Sequence, residues 1–100
     1  MRLMNRYEES EGIARQFFEI QKSTQGSALQ EARVAWVQAA TAYASWQWRE
    51  DKLSLNMERK NDLILCYAEG NRALQESLHG PEKIRLIQSL QVLKAITDAI

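Results

Sequence analysis

Hydrophobic residues recur along this chain at spacings of three and four, the period that places side chains on one face of an α-helix. The first such stretch predicts a helix from about Leu3 to Gln21. Gly12 either weakens this helix, by about 1 kcal/mol relative to alanine, or permits close approach of a second helix. The expected core-facing stripe is Leu3, Tyr7, Ala14, Phe17, Phe18 and Gln21, widened by Ile13 and Ile20.

A second helix is predicted to begin at Ser27, because Ser27 and Gln30 match a capping box. One side of it carries a seam with alternating three- and four-residue spacings: Leu29, Ala32, Trp36, Ala39, Tyr43 and Trp46. A second line, about 160° around the helix, comprises Val34, Val37, Thr41, Ala44, Trp48 and Leu55. A helix that is apolar on two nearly opposite sides is expected to be buried between other helices.

The seam continues in phase past residue 50, and neither glycine nor proline lies between Ser27 and Tyr67. This favours one long central helix over about 27–79, and the alternative is a kink or break near 49–56. In the broken alternative, Asp51 or Ser54 caps the new helix. The in-phase continuation comprises Leu53, Met57, Ile64, Tyr67, Leu74 and Leu78.

A last helix is predicted to begin at Pro81, because glycine suits the position after a helix and proline suits a first turn. Its wide stripe comprises Ile84, Leu86, Ile87, Leu90, Leu93, Ile96 and Ile100. Strand and hairpin signals are scarce. The pattern therefore predicts a single all-α domain over residues 1–100, a three- to four-helix bundle with a long central helix.

Composition narrows the classes of function. Lys plus Arg and Asp plus Glu are both 13, so the net charge is zero, and the usual basic nucleic-acid binder is not expected. The single cysteine, Cys66, excludes a disulfide framework and is expected in the core, since its neighbours are aliphatic. No apolar run approaches the roughly 20 residues of a membrane span. The beginning of the chain lacks the apolar stretch of a signal peptide, which favours a cytoplasmic location.

No catalytic chemistry is predicted. The single histidine, His79, is expected at a helix end, and no nucleophile or acid accompanies it at triad spacing. Glu8, Glu9 and Glu11 are interpreted as a solvated face near a helix start. The chain is therefore expected to have no enzymatic activity and no cofactor. No metal is expected either, because no cluster has the residue types of a metal site.

Protein binding is the class of function that the pattern favours. Trp48 lies on the far side from the seam, and tryptophan and arginine are typical of binding hot spots, although burial beneath the first or last helix explains Trp48 equally well. The predicted protein-binding residues are Trp48, Leu55, Arg49 and Lys52.

The sequence therefore suggests a small non-enzymatic factor that binds a larger protein, as an adaptor, a chaperone-like partner or a bacterial or phage modulator. Excess apolar helix surface also predicts a dimer or a tightly held heterocomplex. One alternative is a structural helical oligomer that associates with itself. The other is a nucleic-acid-associated accessory protein that uses Arg49, Lys52, Arg59 and Lys60.

Overall fold

The computed structural model describes residues 3–24, 28–76 and 80–100, with side chains described from residue 6 onward. Within these ranges the chain forms helices and no strand, so the all-α prediction is confirmed. The elements are α1 (Leu3–Thr24), α2 (Leu29–Glu50), a 3-10 helix (Lys52–Ser54), α3 (Met57–Gln75) and α4 (Pro81–Ala99).

The break near 49–56 is present, and the continuous central helix is not found. After Glu50 the backbone leaves the helical region, with φ −153° and ψ 68° at Asp51. The Ser54 hydroxyl donates a hydrogen bond to the Asp51 carbonyl at 2.7 Å. Side chains of this kind compete with helical hydrogen bonds, so they end α2 without a glycine or proline.

The residue that caps α3 is Asn56, and neither Asp51 nor Ser54 has that role. The Asn56 side-chain oxygen accepts a hydrogen bond from the Arg59 amide at 2.9 Å. A capping side chain of this type typically stabilises a helix by about 1 kcal/mol. The start of α3 is therefore determined by a local hydrogen bond, and six residues separate it from the end of α2.

Packing on both sides of α2 agrees with its two apolar lines. On the seam side, the ring of Phe18 lies 5.0 Å from that of Trp36, and the ring of Tyr7 lies 6.3 Å from that of Trp46, measured between centroids. These two pairs also show that α1 runs antiparallel to α2. The seam of α2 is thus covered by α1.

The opposite side of α2 packs against α3 and α4. Gly70 of α3 faces both neighbouring helices, with Val37 of α2 and Leu90 of α4 against its Cα. Cys66 is buried nearby on α3, as the aliphatic neighbours predicted. The apolar core comprises Ala14, Phe18, Ala32, Trp36, Val37, Ala40, Ala44, Leu55, Leu63, Cys66, Ala73, Leu86, Leu90, Leu93 and Ile96.

Several predicted core positions prove to be exposed. Where a stripe is wide, as in α1 and α4, only its centre is covered by a neighbouring helix. On α3 the buried residues are displaced by one position from the continued seam, so Ile64 is exposed, whereas Tyr67 and Leu74 stay half-buried against the core. The exposed positions from the predicted stripes are Ile13, Ile20, Leu53, Met57, Ile64, Ile84 and Ile87.

Three predictions fall on residues outside the described ranges, namely the helix ends at Ser27 and His79 and the seam position Leu78. α4 begins at Pro81 as predicted. Gly80 precedes it with a φ of 64°, a conformation that favours glycine.

Two glycines on different helices should respond oppositely to alanine. A Cβ at Gly70 would lie 2.5 Å from Leu90 Cδ2 and 2.9 Å from Val37 Cγ2, so Gly70→Ala should cost about 1–3 kcal/mol through overpacking. A Cβ at Gly12 would meet nothing within 4 Å, so Gly12→Ala should stabilise the fold by up to about 1 kcal/mol. Urea unfolding of both variants checks this, and midpoints that move in the same direction would contradict it.

Candidate functional site

Three of the four predicted binding residues lie at the surface where the chain passes from α2 to α3. Trp48 lies in the last turn of α2 and is 37% exposed. The Lys52 ammonium lies 4.7 Å from the centroid of the Trp48 ring, a cation–π contact. Arg49 is exposed, and its Nε donates a hydrogen bond to the Ser45 carbonyl at 3.3 Å.

The fourth predicted residue, Leu55, lies elsewhere. It is buried in the core, 7% exposed. The expectation that Leu55 lies one heptad beyond Trp48 on the same helix is wrong, because α2 ends at Glu50. Leu55 therefore anchors the turn from inside and is not accessible to a partner in this structure.

Two other apolar residues of this turn point into solvent, Leu53 at 94% exposure and Met57 at 63%. The sequence pattern placed both on the buried seam. The polar segment around Asp51, Ser54 and Asn56 could have indicated their exposure, because it ends the helix and with it the spacing of the seam. We call Trp48, Lys52, Leu53 and Met57 the turn surface.

A buried polar cluster lies between α1, α2 and α3. Arg59 Nη1 donates a hydrogen bond to Glu11 Oε1 at 2.7 Å, and Arg59 Nε donates to Gln47 Oε1 at 2.9 Å. The guanidinium carbon also lies 4.7 Å from the centroid of the Tyr43 ring. Gln47 in turn donates through Nε2 to the Ser54 hydroxyl at 2.9 Å, which ties the cluster to the turn.

This cluster corrects the interpretation of Glu11. Glu8 and Glu9 are exposed as predicted, but Glu11 is buried. The position of Glu11 could have indicated its burial, because residues 7, 11, 14 and 18 form one stripe of the helix. A buried glutamate at the centre of that stripe requires a cation opposite. Arg59 supplies that cation. The nucleic-acid alternative requires Arg59 to be free to bind a phosphate, and its pairing with Glu11 prevents this.

Burial also suppresses the chemistry of the one thiol. Desolvation raises the pKa of Cys66, with a smaller contribution in the same direction from the Glu11 carboxylate. Desolvation likewise raises the pKa of Tyr43. Because the thiolate is the nucleophilic form, a thiol in this setting is inert. Among the described residues, no group of three His, Cys, Asp or Glu side chains could hold a metal ion.

The raised pKa of Cys66 predicts loss of stability in alkaline solution. The thiol of the unfolded chain ionises at about pH 8.5, whereas the buried thiol stays protonated. The contribution of this difference to stability is therefore complete below that pH and is lost as pH rises. The free energy of unfolding should fall above this point by up to about 1.4 kcal/mol per pH unit. Urea unfolding between pH 7 and 10 measures the slope. Cys66→Ala should make it shallower, and an equal slope in that variant would contradict the assignment.

No protein-family model matches the chain, and no curated protein or solved structure shows significant similarity to it. Within residues 3–24, 28–76 and 80–100, no helix is both long and apolar enough to cross a membrane.

Proposed function

We propose that this chain is a small protein-binding factor without enzymatic activity, and that it docks on a larger protein through the turn surface. The observation that carries the proposal is the almost complete exposure of Leu53, in a short segment that also holds an exposed Met57 and a partly exposed Trp48. Covering apolar surface of this kind gains roughly 25 cal/mol per Å². Tryptophan is also enriched among the residues that dominate binding energy.

The charges around the turn surface favour a protein over a nucleic acid. Arg49 and Lys52 flank Glu50 and Asp51 in the sequence, so this segment has no net charge. A mixed polar rim around an apolar centre is the usual anatomy of a protein interface. A phosphate backbone would instead require an excess of basic side chains.

The proposed role is that of a cytoplasmic adaptor, chaperone-like partner, or bacterial or phage modulator of a larger protein. Each of these roles needs a compact domain that presents one apolar surface. The turn surface has an anchored base for this purpose, since Leu55, two residues after the exposed Leu53, is buried in the core. A preorganised surface loses less entropy when it binds.

A pull-down from the source cells, followed by calorimetry with the recovered partner, tests the proposal. Leu53→Asp and Trp48→Ala should each weaken binding about tenfold or more, as loss of a hot-spot contact does. The melting temperature of Leu53→Asp should change little, because that side chain is almost fully exposed. Trp48 is only 37% exposed, so Trp48→Ala should lower the melting temperature moderately and leave the domain folded at the temperature of the binding measurement.

Ile13→Asp is the matched control, since Ile13 is an exposed apolar residue on α1 that receives the same charge. It should bind as the parent chain does. Undiminished affinity in both Leu53→Asp and Trp48→Ala would contradict docking through the turn surface.

Self-association is the second candidate function, and one feature of α4 favours it. Ile84, Ile87 and Val92 are exposed on this helix, and no charged residue lies between Arg85 and Lys94. An uncharged apolar face brings no like charges together when two copies meet. Sedimentation should then show a dimer that Val92→Lys dissociates, whereas a monomer at high micromolar concentration would contradict this candidate.

A further inference from the structure

α1 is anchored in the bundle in a different way from α4. The buried residues of α4 include four large aliphatic side chains, Leu86, Leu90, Leu93 and Ile96. Along the described side chains of α1, the buried residues are Glu11, Ala14 and Phe18. Elements with few buried apolar side chains open locally at lower free energy than the rest of a domain.

The surface beneath α1 is specific for this helix. Tyr7 contacts Trp46 at the end of the α2 seam, and Phe18 contacts Trp36 near its middle. Between them, the Glu11 carboxylate meets the buried Arg59 guanidinium. We call the surface formed by Trp36, Tyr43, Trp46 and Arg59 the α1 groove.

Arg15 adds a further recognition contact. Its guanidinium carbon lies 5.5 Å from the centroid of the Trp36 ring, and its Nη1 lies 3.5 Å from Asp62 Oδ1 on α3. The groove therefore requires four residues at fixed spacing: an aromatic residue, then a carboxylate, an arginine and a second aromatic residue, as at positions 7, 11, 15 and 18. The sequence of α1 meets all four requirements.

The remaining three helices have direct links to one another that do not involve α1. Arg33 of α2 pairs with Glu69 of α3 at 3.2 Å, and Gln30 Nε2 donates a hydrogen bond to the Ala73 carbonyl at 2.6 Å. Both α2 and α3 pack against α4. Opening of α1 therefore leaves these contacts in place.

We propose that α1 is an exchangeable helix, which opens while α2, α3 and α4 stay folded, and that the exposed α1 groove accepts α1 of a second copy. A second copy is the occupant that the contacts favour, because every recognition contact of the groove comes from the α1 sequence. Exchange of an identical element between protomers is a low-cost route to dimers. This inference is independent of docking through the turn surface.

Native-state hydrogen exchange on the full chain tests the opening. Amides of α1 should exchange faster than those of α4, and Glu11→Gln should accelerate α1 exchange about tenfold or more, since a charged hydrogen bond to Arg59 is lost. Exchange in α4 should stay unchanged. Glu9→Gln, which removes the same charge from an exposed position, is the control and should have no effect.

A labelled peptide of residues 3–24 tests occupation of the groove. It should bind the full chain, and it should bind more tightly to the Glu11→Gln chain, whose own α1 is more weakly held. A peptide carrying Glu11→Gln should bind about tenfold more weakly than one carrying Glu9→Gln. Equal exchange rates in α1 and α4, or equal binding of the two peptides, would overturn the proposal.

Discussion

Trp36→Ala is expected to lower the free energy of unfolding by about 3–5 kcal/mol, the usual cost of truncating a large buried aromatic residue. Trp36 is 3% exposed and packs against Phe18 on the seam of α2. Its indole Nε1 makes no hydrogen bond within the described part of the chain, so the loss comes from packing and from the cation–π contact with Arg15. Urea unfolding monitored by circular dichroism measures it.

Trp48→Ala is the matched control for that variant, because it removes the same side chain from an exposed position on the same helix. It should cost much less than Trp36→Ala. An unchanged unfolding midpoint for Trp36→Ala would contradict the assignment of the seam to the core. A loss in Trp48→Ala as large as in Trp36→Ala would place Trp48 in the core as well.

Arg59→Met should be about as damaging, at about 3–5 kcal/mol, since it leaves the buried Glu11 carboxylate without its cation. Arg59 and Glu11 are 12% and 10% exposed at the side chain and lie 2.7 Å apart. The double variant Glu11→Leu, Arg59→Met should recover most of the loss, because a buried ion pair is often replaced by apolar residues at little cost.

A double-mutant cycle on chemical unfolding separates the pair from its surroundings. Glu11→Leu alone should also destabilise, because it leaves the Arg59 charge unpaired. Additive effects of the two single changes would contradict coupling between Glu11 and Arg59. Arg59 also contacts Gln47 and Tyr43, so the double variant is expected to remain below the parent chain.

Periodicity was sufficient to predict that the chain is helical and that α2 lies between other helices, but it favoured one continuous helix where α2 and α3 are separate. Both properties follow from the positions of apolar residues along one helix. Pro81 and the buried Cys66 were predictable for the same reason, since each depends on its neighbours in sequence. Periodicity did not say which part of a wide stripe is covered. Ile13 and Ile84 are exposed because no helix within the described ranges reaches them.

The candidate site was predicted less well, because it depends on two features that a hydrophobic pattern does not record. The first is the set of local hydrogen bonds at Ser54 and Asn56, which ends one helix and starts the next. This break buries Leu55 and exposes Leu53. The second is the pairing of Glu11 with Arg59, 48 residues apart in sequence. Such a pair becomes visible only when the helices are assembled.

The three tryptophans occupy three different environments, which makes them optical reporters of different parts of the molecule. Trp36 is enclosed beneath α1, Trp46 is half-buried beside Tyr7 and Tyr43, and Trp48 is exposed next to Lys52. A soluble quencher added to the native protein therefore reaches the Trp48 indole first. Chains that retain one tryptophan at a time give separate fluorescence signals for the Phe18 end of the α1 groove, for its Tyr7 end and for the turn surface, without any added label.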